Sequence, residues 1–263
     1  MLLAIIIFFL YAASAWVMLR SVSNRRLDPL AWASSLAAIL AHTYAIIQPM
    51  RGMVPISIGL LEAISMLAWT LAVLACLIGI ERQNRVLTAI LLGSAAFGAA
   101  ATGSGRSFAV ETSPGWEFTA HILLSMAAAA LLFAAAVTAV LLVVLDRRLR
   151  AHRVANLPSV LPPIDTLESI MFRLIGAGFA LLTLALFTGF VFVTNLFAQH
   201  LIHKTVLSLA AWVLFGVLLI GRMRYGWRGR FAVRLTLWGF GMLILAYFGA
   251  KFVLEYLKGA HWG

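Results

Sequence analysis

Charged residues are scarce in this chain. Only 11% of its 263 residues are charged and only 9 are acidic, whereas 63% are hydrophobic. A chain of this composition has too little polar surface to cover a soluble globule of its size. The composition therefore excludes a soluble domain and predicts a protein that crosses a membrane several times.

Cysteine is almost absent as well. Cys76 is the single cysteine, and it lies inside an apolar run. An intramolecular disulfide and a CxxC redox motif are both excluded, because each needs two cysteines. Any thiol chemistry connected with this protein would have to come from a partner.

Basic residues are in excess, but their distribution does not indicate nucleic acid as a partner. The formal net charge is +11, yet the Lys and Arg residues form short clusters between apolar runs instead of covering one polar face. Such clusters are typical of membrane anchoring. We therefore expect a lipid bilayer as the partner and no nucleic-acid binding.

Eight apolar runs are long enough to cross the hydrocarbon core, since a span of ~30 Å takes ~20 helical residues. Each run must be helical in lipid, because an unpaired backbone group there has no water to bond. The predicted helices lie at about 2–19, 30–48, 58–80, 86–103, 119–145, 170–197, 204–221 and 231–257. We predict an all-α polytopic membrane protein with about eight transmembrane helices, forming a single integral-membrane domain over residues 1–263.

The basic residues alternate between the two sides of the predicted membrane. The connections after the odd-numbered helices hold 14 of them, namely Arg20, Arg25, Arg26, Arg82, Arg85, Arg147, Arg148, Arg150, Arg153, Arg222, Arg224, Arg228, Arg230 and Arg234. The opposite side holds only Arg51, Arg106, Lys204 and Lys258. By the positive-inside rule, the N- and C-termini both lie on the non-cytoplasmic side.

Two segments are open to other interpretations. Ala13-Ser14-Ala15 is similar to a signal-peptide cleavage site, but positive charge follows the first apolar run instead of preceding it, so we expect a retained helix. Residues 146–169 form the longest cytoplasmic connection and include Pro158, Pro162 and Pro163. Because proline breaks regular structure, we expect a linker there and no separate domain.

Histidines at membrane depth are the candidate ligands. His42 falls in the outer half of the second predicted helix and His121 opens the fifth, while His200, His203 and His261 lie in outward connections; His152 lies among cytoplasmic charges. Neutral imidazole is a good axial ligand of haem iron, so this distribution suits a haem or metal centre near the outer leaflet. A histidine in a membrane helix can equally well hydrogen-bond a neighbouring helix, and spacing alone leaves both possibilities open.

Other polar or amphipathic residues have simpler interpretations. Lys251 and Glu255 are four residues apart in the last helix and are expected to pair or to reach toward the headgroups, and Glu62 is interpreted in the same way. Tryptophans near helix ends are expected to be interface anchors. They are Trp69, Trp116, Trp212, Trp227 and Trp238.

Several motifs resemble one family. They are AHTYAI at 41–46, HILLSMAAAALLFAAAV at 121–137, GFALLTLALFTG at 178–189, HKTVLSLAAWVLFGVLL at 203–219 and GWRGR at 226–230. Together they resemble the CcmC/CcsA-type cytochrome c assembly family of haem-handling membrane proteins, and within it the inner-membrane YpjD-like branch, over a core at about 40–257. The resemblance implies that His121 is an external haem ligand and that His42 is a membrane-embedded one. His203 is a third cofactor-binding candidate because of its position in the outward connection. The segment NLFAQHLIHK at 195–204 has no tryptophan, where the family has a tryptophan-rich loop that presents haem.

From these observations we expect a haem-binding or haem-handling protein of the bacterial inner membrane, related to cytochrome c assembly. It would hold haem by histidine ligation near the outer leaflet without catalysing bond chemistry, and its protein partner would be another cytochrome c maturation protein or a transport-system subunit. The alternative is an accessory or regulatory subunit of a transport system in which the histidines are structural. A small-solute or haem transporter is less favoured, because paired broken helices and inverted repeats are not evident in the sequence.

Overall fold

The computed structural model describes residues 2–48, 60–102, 116–150, 162–192 and 202–249, and no strand occurs in these ranges. Its helices are α1 (Leu2–Ser23), α2 (Asp28–Ile47), α3 (Leu60–Gly79), α4 (Arg85–Ala99), α5 (Trp116–Arg150), α6 (Ile164–Phe192), α7 (Ile202–Tyr225) and α8 (Gly229–Ile244). Short 3₁₀ turns at Arg25–Leu27 and Arg82–Asn84 precede α2 and α4, and a π-helical turn, Leu245–Gly249, follows α8.

All these helices except α4 are long and apolar enough to cross a membrane, which gives seven candidate spans among the described residues. Helix α4 has 15 residues and rises only ~22 Å at 1.5 Å per residue. It is nonetheless apolar and largely buried within its unit. The prediction of an all-α polytopic membrane protein is confirmed, while the orientation of its termini stays a prediction.

The predicted linker at 146–169 is shorter than expected. Helix α5 continues to Arg150, where an ion pair between Arg150 Nε and Asp146 Oδ1 at 2.9 Å supports its last turn. Helix α6 begins at Ile164, directly after Pro163, because proline is tolerated where a helix starts. Only residues 151–161 of the predicted linker lie outside the described residues.

The described helices form two compact units, α1 to α4 and α5 to α8. In unit 1, α1 packs against α2 and α4, and α3 packs against α4. The buried residues of α1 recur every three or four positions and so share one face. They are Ala4, Ile7, Tyr11, Ser14, Val17, Met18 and Ser21. Gly98 lets α4 approach α3 closely, since a Cβ there would lie 2.7 Å from Ala68 Cβ.

An ion-pair cluster joins the start of α2 to the start of α4. Asp28 accepts from Arg82 Nη1 at 2.7 Å and from Nη1 of Arg85. Arg82 also donates to the Ser21 carbonyl at 2.8 Å, and Arg85 donates to the Ser21 hydroxyl at 3.1 Å. One carboxylate therefore balances two guanidinium groups, of which Arg85 is buried.

Unit 2 is built on the α5–α6 pair. Gly178 allows this close approach, because a Cβ on it would lie 2.7 Å from Leu132 Cγ. Helix α8 packs on α5, with the rings of Phe133 and Phe240 edge to face at 5.5 Å. Helix α7 packs against α6 and α8.

The turn between α7 and α8 is held from α6. Gly226 and Gly229 adopt φ angles of 66° and 61°. These positive angles favour glycine, because a Cβ atom would clash with the backbone there. Glu168 on α6 accepts from Arg222 Nη1 at 2.7 Å and from the Gly229 amide at 3.4 Å. Arg222 also donates to the Trp227 carbonyl at 3.3 Å. We call the Glu168–Arg222 pair the clamp of this turn.

Candidate functional site

His121 lies in the second turn of α5, against α6. Its Nδ1 is 3.0 Å from the Thr188 hydroxyl, which in turn lies 3.0 Å from the Ala185 carbonyl. A carbonyl can only accept, so the Thr188 hydrogen serves Ala185 and the hydroxyl accepts from the imidazole. We therefore assign the proton of neutral His121 to Nδ1, which leaves a lone pair on Nε2.

The Nε2 atom makes no hydrogen bond within the part of the chain that the structure describes. The ring is half-buried and lies directly against Gly189, where a Cβ would be 3.0 Å from His121 Cε1. Thr188 and Gly189 thus fix the direction of the imidazole, and no described residue bonds its second nitrogen. A ligating histidine typically has this arrangement, with a hydrogen bond from the far nitrogen fixing the ring.

Three further residues lie at the same end of unit 2. The Lys204 ammonium at the start of α7 lies over the Tyr247 ring, 5.4 Å from its centroid. Ser125 is buried on α5, four residues after His121. We call His121, Ser125, Thr188, Lys204 and Tyr247 the His121 cluster.

The remaining residues of the 178–189 motif pack α6 against α7. Trp212 stacks on Phe179 at 5.6 Å and donates from Nε1 to Thr183 Oγ1 at 2.8 Å. The expectation that Trp212 is an interface anchor is therefore wrong, because it lies mid-helix with its polar atom satisfied by α6. Trp116 and Trp238 are exposed, as anchors should be.

His42 has a different environment. It is 0% exposed within unit 1. Its Nδ1 lies 3.2 Å from the Tyr11 hydroxyl, and its Nε2 lies 2.9 Å from Ser65 Oγ and 3.2 Å from Thr102 Oγ1. Ligation of iron by His42 would require one of these hydrogen bonds to break. This geometry favours the hydrogen-bonding role that the sequence left open.

The other predicted residues are placed less fully. His203 lies in the first turn of α7, and its side chain is outside the described part of the chain, as are all of His152, His200, His261, Lys251 and Glu255. Glu62 is half-buried at the start of α3, and its Oε2 has no partner among the described residues. His42 and His121 belong to different units, so their approach to one haem stays a prediction.

Sequence reasoning missed Thr188, Glu168 and Tyr247. Thr188 stood in the quoted motif, but its bond to His121 joins residues 67 positions apart. Glu168 falls within the predicted 146–169 linker, whereas it lies in α6 and is buried against Arg222. Tyr247 stood in an apolar run and carried no motif of its own.

Known proteins resemble much of this chain. The Escherichia coli (strain K12) inner membrane protein YpjD is 38% identical over 149 residues, which are 57% of this chain and 56% of that protein's length. An Azospirillum brasilense protein described as an uncharacterized 28.8 kDa protein in the nifR3-like 5' region is 35% identical over 180 residues, 68% of this chain and 66% of the relative. The Synechococcus elongatus cytochrome c biogenesis protein CcsA is 31% identical over 107 residues, 40% of this chain and 33% of that protein. No solved structure gives a significant match.

A family model described as Cytochrome C assembly protein matches residues 57–258. This range includes α3 to α8 and the whole His121 cluster, whereas α1 and α2, with His42, precede it. The resemblance found in the sequence motifs is thereby confirmed. The chain is a multi-pass membrane protein of the cytochrome c assembly family.

Proposed function

We propose that this chain handles haem in cytochrome c biogenesis and holds the iron through Nε2 of His121. The observation that carries the proposal is the fixed imidazole, with Nδ1 bonded to Thr188 and Nε2 unbonded among the described residues. Family membership and the name of the CcsA relatives support the pathway. In this role the protein would position haem and would not catalyse bond chemistry.

The residues of the His121 cluster fit a haem group. A bound haem supplies an iron centre with an open axial position, and a neutral imidazole nitrogen suits that position. Thr188 keeps the proton on Nδ1, and Gly189 leaves room for the ring. His203, at the start of the helix that carries Lys204, is a second candidate on the same side of unit 2.

A haemin titration tests this proposal. Detergent-purified protein should show a saturable shift of the Soret band to that of histidine-ligated haem, because His121 offers its lone pair to the iron. His152→Ala, which removes a histidine on the predicted cytoplasmic side, should titrate like the wild type. A wild-type protein whose Soret band does not shift would refute the proposal.

The same proposal includes the membrane and the orientation. We propose the bacterial inner membrane, in line with the name of the YpjD relative, with both termini and the His121 cluster on the non-cytoplasmic side. The basic residues support this orientation, with 14 on the predicted cytoplasmic side against four on the other. Haem would then be held near the outer leaflet, where another cytochrome c maturation protein could receive it.

Reporter fusions test the orientation. An enzyme that is active only outside the cytoplasm should work when fused after Gly263 or within residues 104–115, and it should fail within residues 151–161. The asymmetry of basic residues is the physical reason, since cytoplasmic connections retain Lys and Arg. The opposite pattern of reporter activities would reverse the predicted sides.

One observation favours a second candidate function. His42 has hydrogen bonds at both ring nitrogens, which is what structural histidines in an accessory subunit of a transport system would show. In that case the purified protein would not bind haemin through any histidine. The haemin titration separates the two candidates.

A further inference from the structure

The His121 cluster contains a cation in addition to the imidazole. Lys204 lies in the first turn of α7, with its ammonium 5.4 Å from the centroid of the Tyr247 ring. An ammonium over an aromatic face is attracted by the ring quadrupole. Tyr247 lies in the π-helical turn after α8, and this turn packs against α7. The contact with the ring therefore directs the Lys204 side chain toward this turn.

The cation and the imidazole lie at the same end of unit 2. His121 bonds Thr188 near the end of α6, and Lys204 lies in the first turn of α7, which packs against α6. The clamp joins the start of α6 to the end of α7, so the end of α6 lies beside the start of α7. The other charged residue described at this end of unit 2 is Glu117, one turn before His121. A ligand that His121 holds would therefore lie at the end of unit 2 that carries the Lys204 ammonium.

Haem carries two propionate carboxylates on one edge of its ring, so it presents anions as well as iron. Near the membrane, where the local dielectric constant is low, an ammonium attracts a carboxylate more strongly than it does in water. Charge-assisted hydrogen bonds of this kind are among the stronger ones in proteins. We propose that Lys204 binds a propionate carboxylate of the haem whose iron His121 ligates, an inference that rests on the function proposed above.

Three related probes test the two contacts separately. Haemin has both iron and carboxylates, haemin dimethyl ester keeps the iron without free carboxylates, and protoporphyrin IX keeps the carboxylates without iron. Lys204→Met should weaken haemin and protoporphyrin IX about tenfold, the loss expected for one charge-assisted hydrogen bond. It should leave the affinity for the dimethyl ester unchanged. His121→Ala should show the reverse selectivity, weakening both iron-containing probes and sparing protoporphyrin IX.

Two further variants control for charge and folding. Lys204→Arg keeps the cation and should retain most of the haemin affinity. Arg224→Met removes one exposed cation at the opposite end of α7 and should bind all three probes like the wild type. Size-exclusion profiles of the detergent-solubilised proteins check that each variant is folded.

The outcomes separate this inference from the proposed function. If Lys204→Met weakens haemin and its dimethyl ester equally, or weakens neither, the propionate contact is refuted while histidine ligation stands. If Lys204→Met is misfolded, Lys204→Arg provides the test. The contact is refuted if Lys204→Arg binds haemin no more tightly than the wild type binds haemin dimethyl ester. If wild-type haemin binding is independent of His121, the proposed function itself fails.

Discussion

Asp28→Ala should destabilise the folded protein by about 3 kcal/mol, because it leaves a buried guanidinium without its counterion. Arg85 is buried, and its Nε already has no partner among the described residues. Asp28 is the carboxylate that both Arg85 and Arg82 contact. Without it, the only side-chain contact described for the Arg85 guanidinium would be its hydrogen bond to the uncharged Ser21 hydroxyl.

The loss can be measured as a shift in the SDS mole fraction at which half of the helicity is lost. Asp146→Ala is the matched control, because it also removes a carboxylate paired to arginine, but Arg150 is 70% exposed. Exposed pairs of this kind contribute about 0.5 kcal/mol. Asp28→Ala combined with Arg85→Leu should recover part of the loss, since no orphan charge remains. Equal midpoints for Asp28→Ala and Asp146→Ala would contradict the prediction.

His121→Ala should abolish the Soret band of histidine-ligated haem, because it removes the imidazole nitrogen that no described residue bonds. Added imidazole should restore part of the band by entering the space of the missing ring. Thr188→Val should weaken haemin binding about 10-fold to 100-fold, the usual cost of losing the partner of a ligating histidine. Thr188→Ser, which keeps the hydroxyl, should stay near the wild type.

Two glycines of α6 provide a steric test of the same imidazole. Gly189→Val would press a side chain against the His121 ring, whereas a Cβ at Gly176 meets nothing within 4 Å. Gly189→Val should therefore reduce the Soret shift, and Gly176→Val should not. A His121→Ala protein with an unchanged spectrum would show that another residue binds the iron.

The sequence predicted the helices well because length and apolarity alone decide which segments can cross a bilayer. Their ends were less predictable. The Asp146–Arg150 pair supports α5 beyond the predicted apolar run, which ends at Leu145, and α6 begins after Pro163, earlier than its apolar run. The ion pair and the fixed φ angle of proline are local features that hydropathy does not include. The short α4 was predicted longer because hydropathy extends beyond Ala99, where the helix ends.

The sequence predicted which residues belong to the candidate site, but it did not predict their contacts. A motif singled out His121, and its position at the start of a helix followed from the apolar pattern. The tautomer did not follow, because it depends on Thr188 and the Ala185 carbonyl in another helix. For His42, the sequence could not decide between ligand and hydrogen-bonding group, since its partners Tyr11, Ser65 and Thr102 come from three other parts of unit 1.

The clamp at the α7–α8 turn also determines how α7 is aligned along α6 at the opposite end of unit 2. Measured along the helices at 1.5 Å per residue, Thr188 lies ~30 Å from Glu168 and Lys204 lies ~27 Å from Arg222. The Glu168–Arg222 contact therefore places two residues at nearly the same position along the helix axes. They are Thr188, which orients the His121 imidazole, and the cation Lys204. A slip of α7 by one turn would move Lys204 ~5.4 Å relative to Thr188. A salt bridge at one end of unit 2 thus aligns the residues of the His121 cluster at the other end.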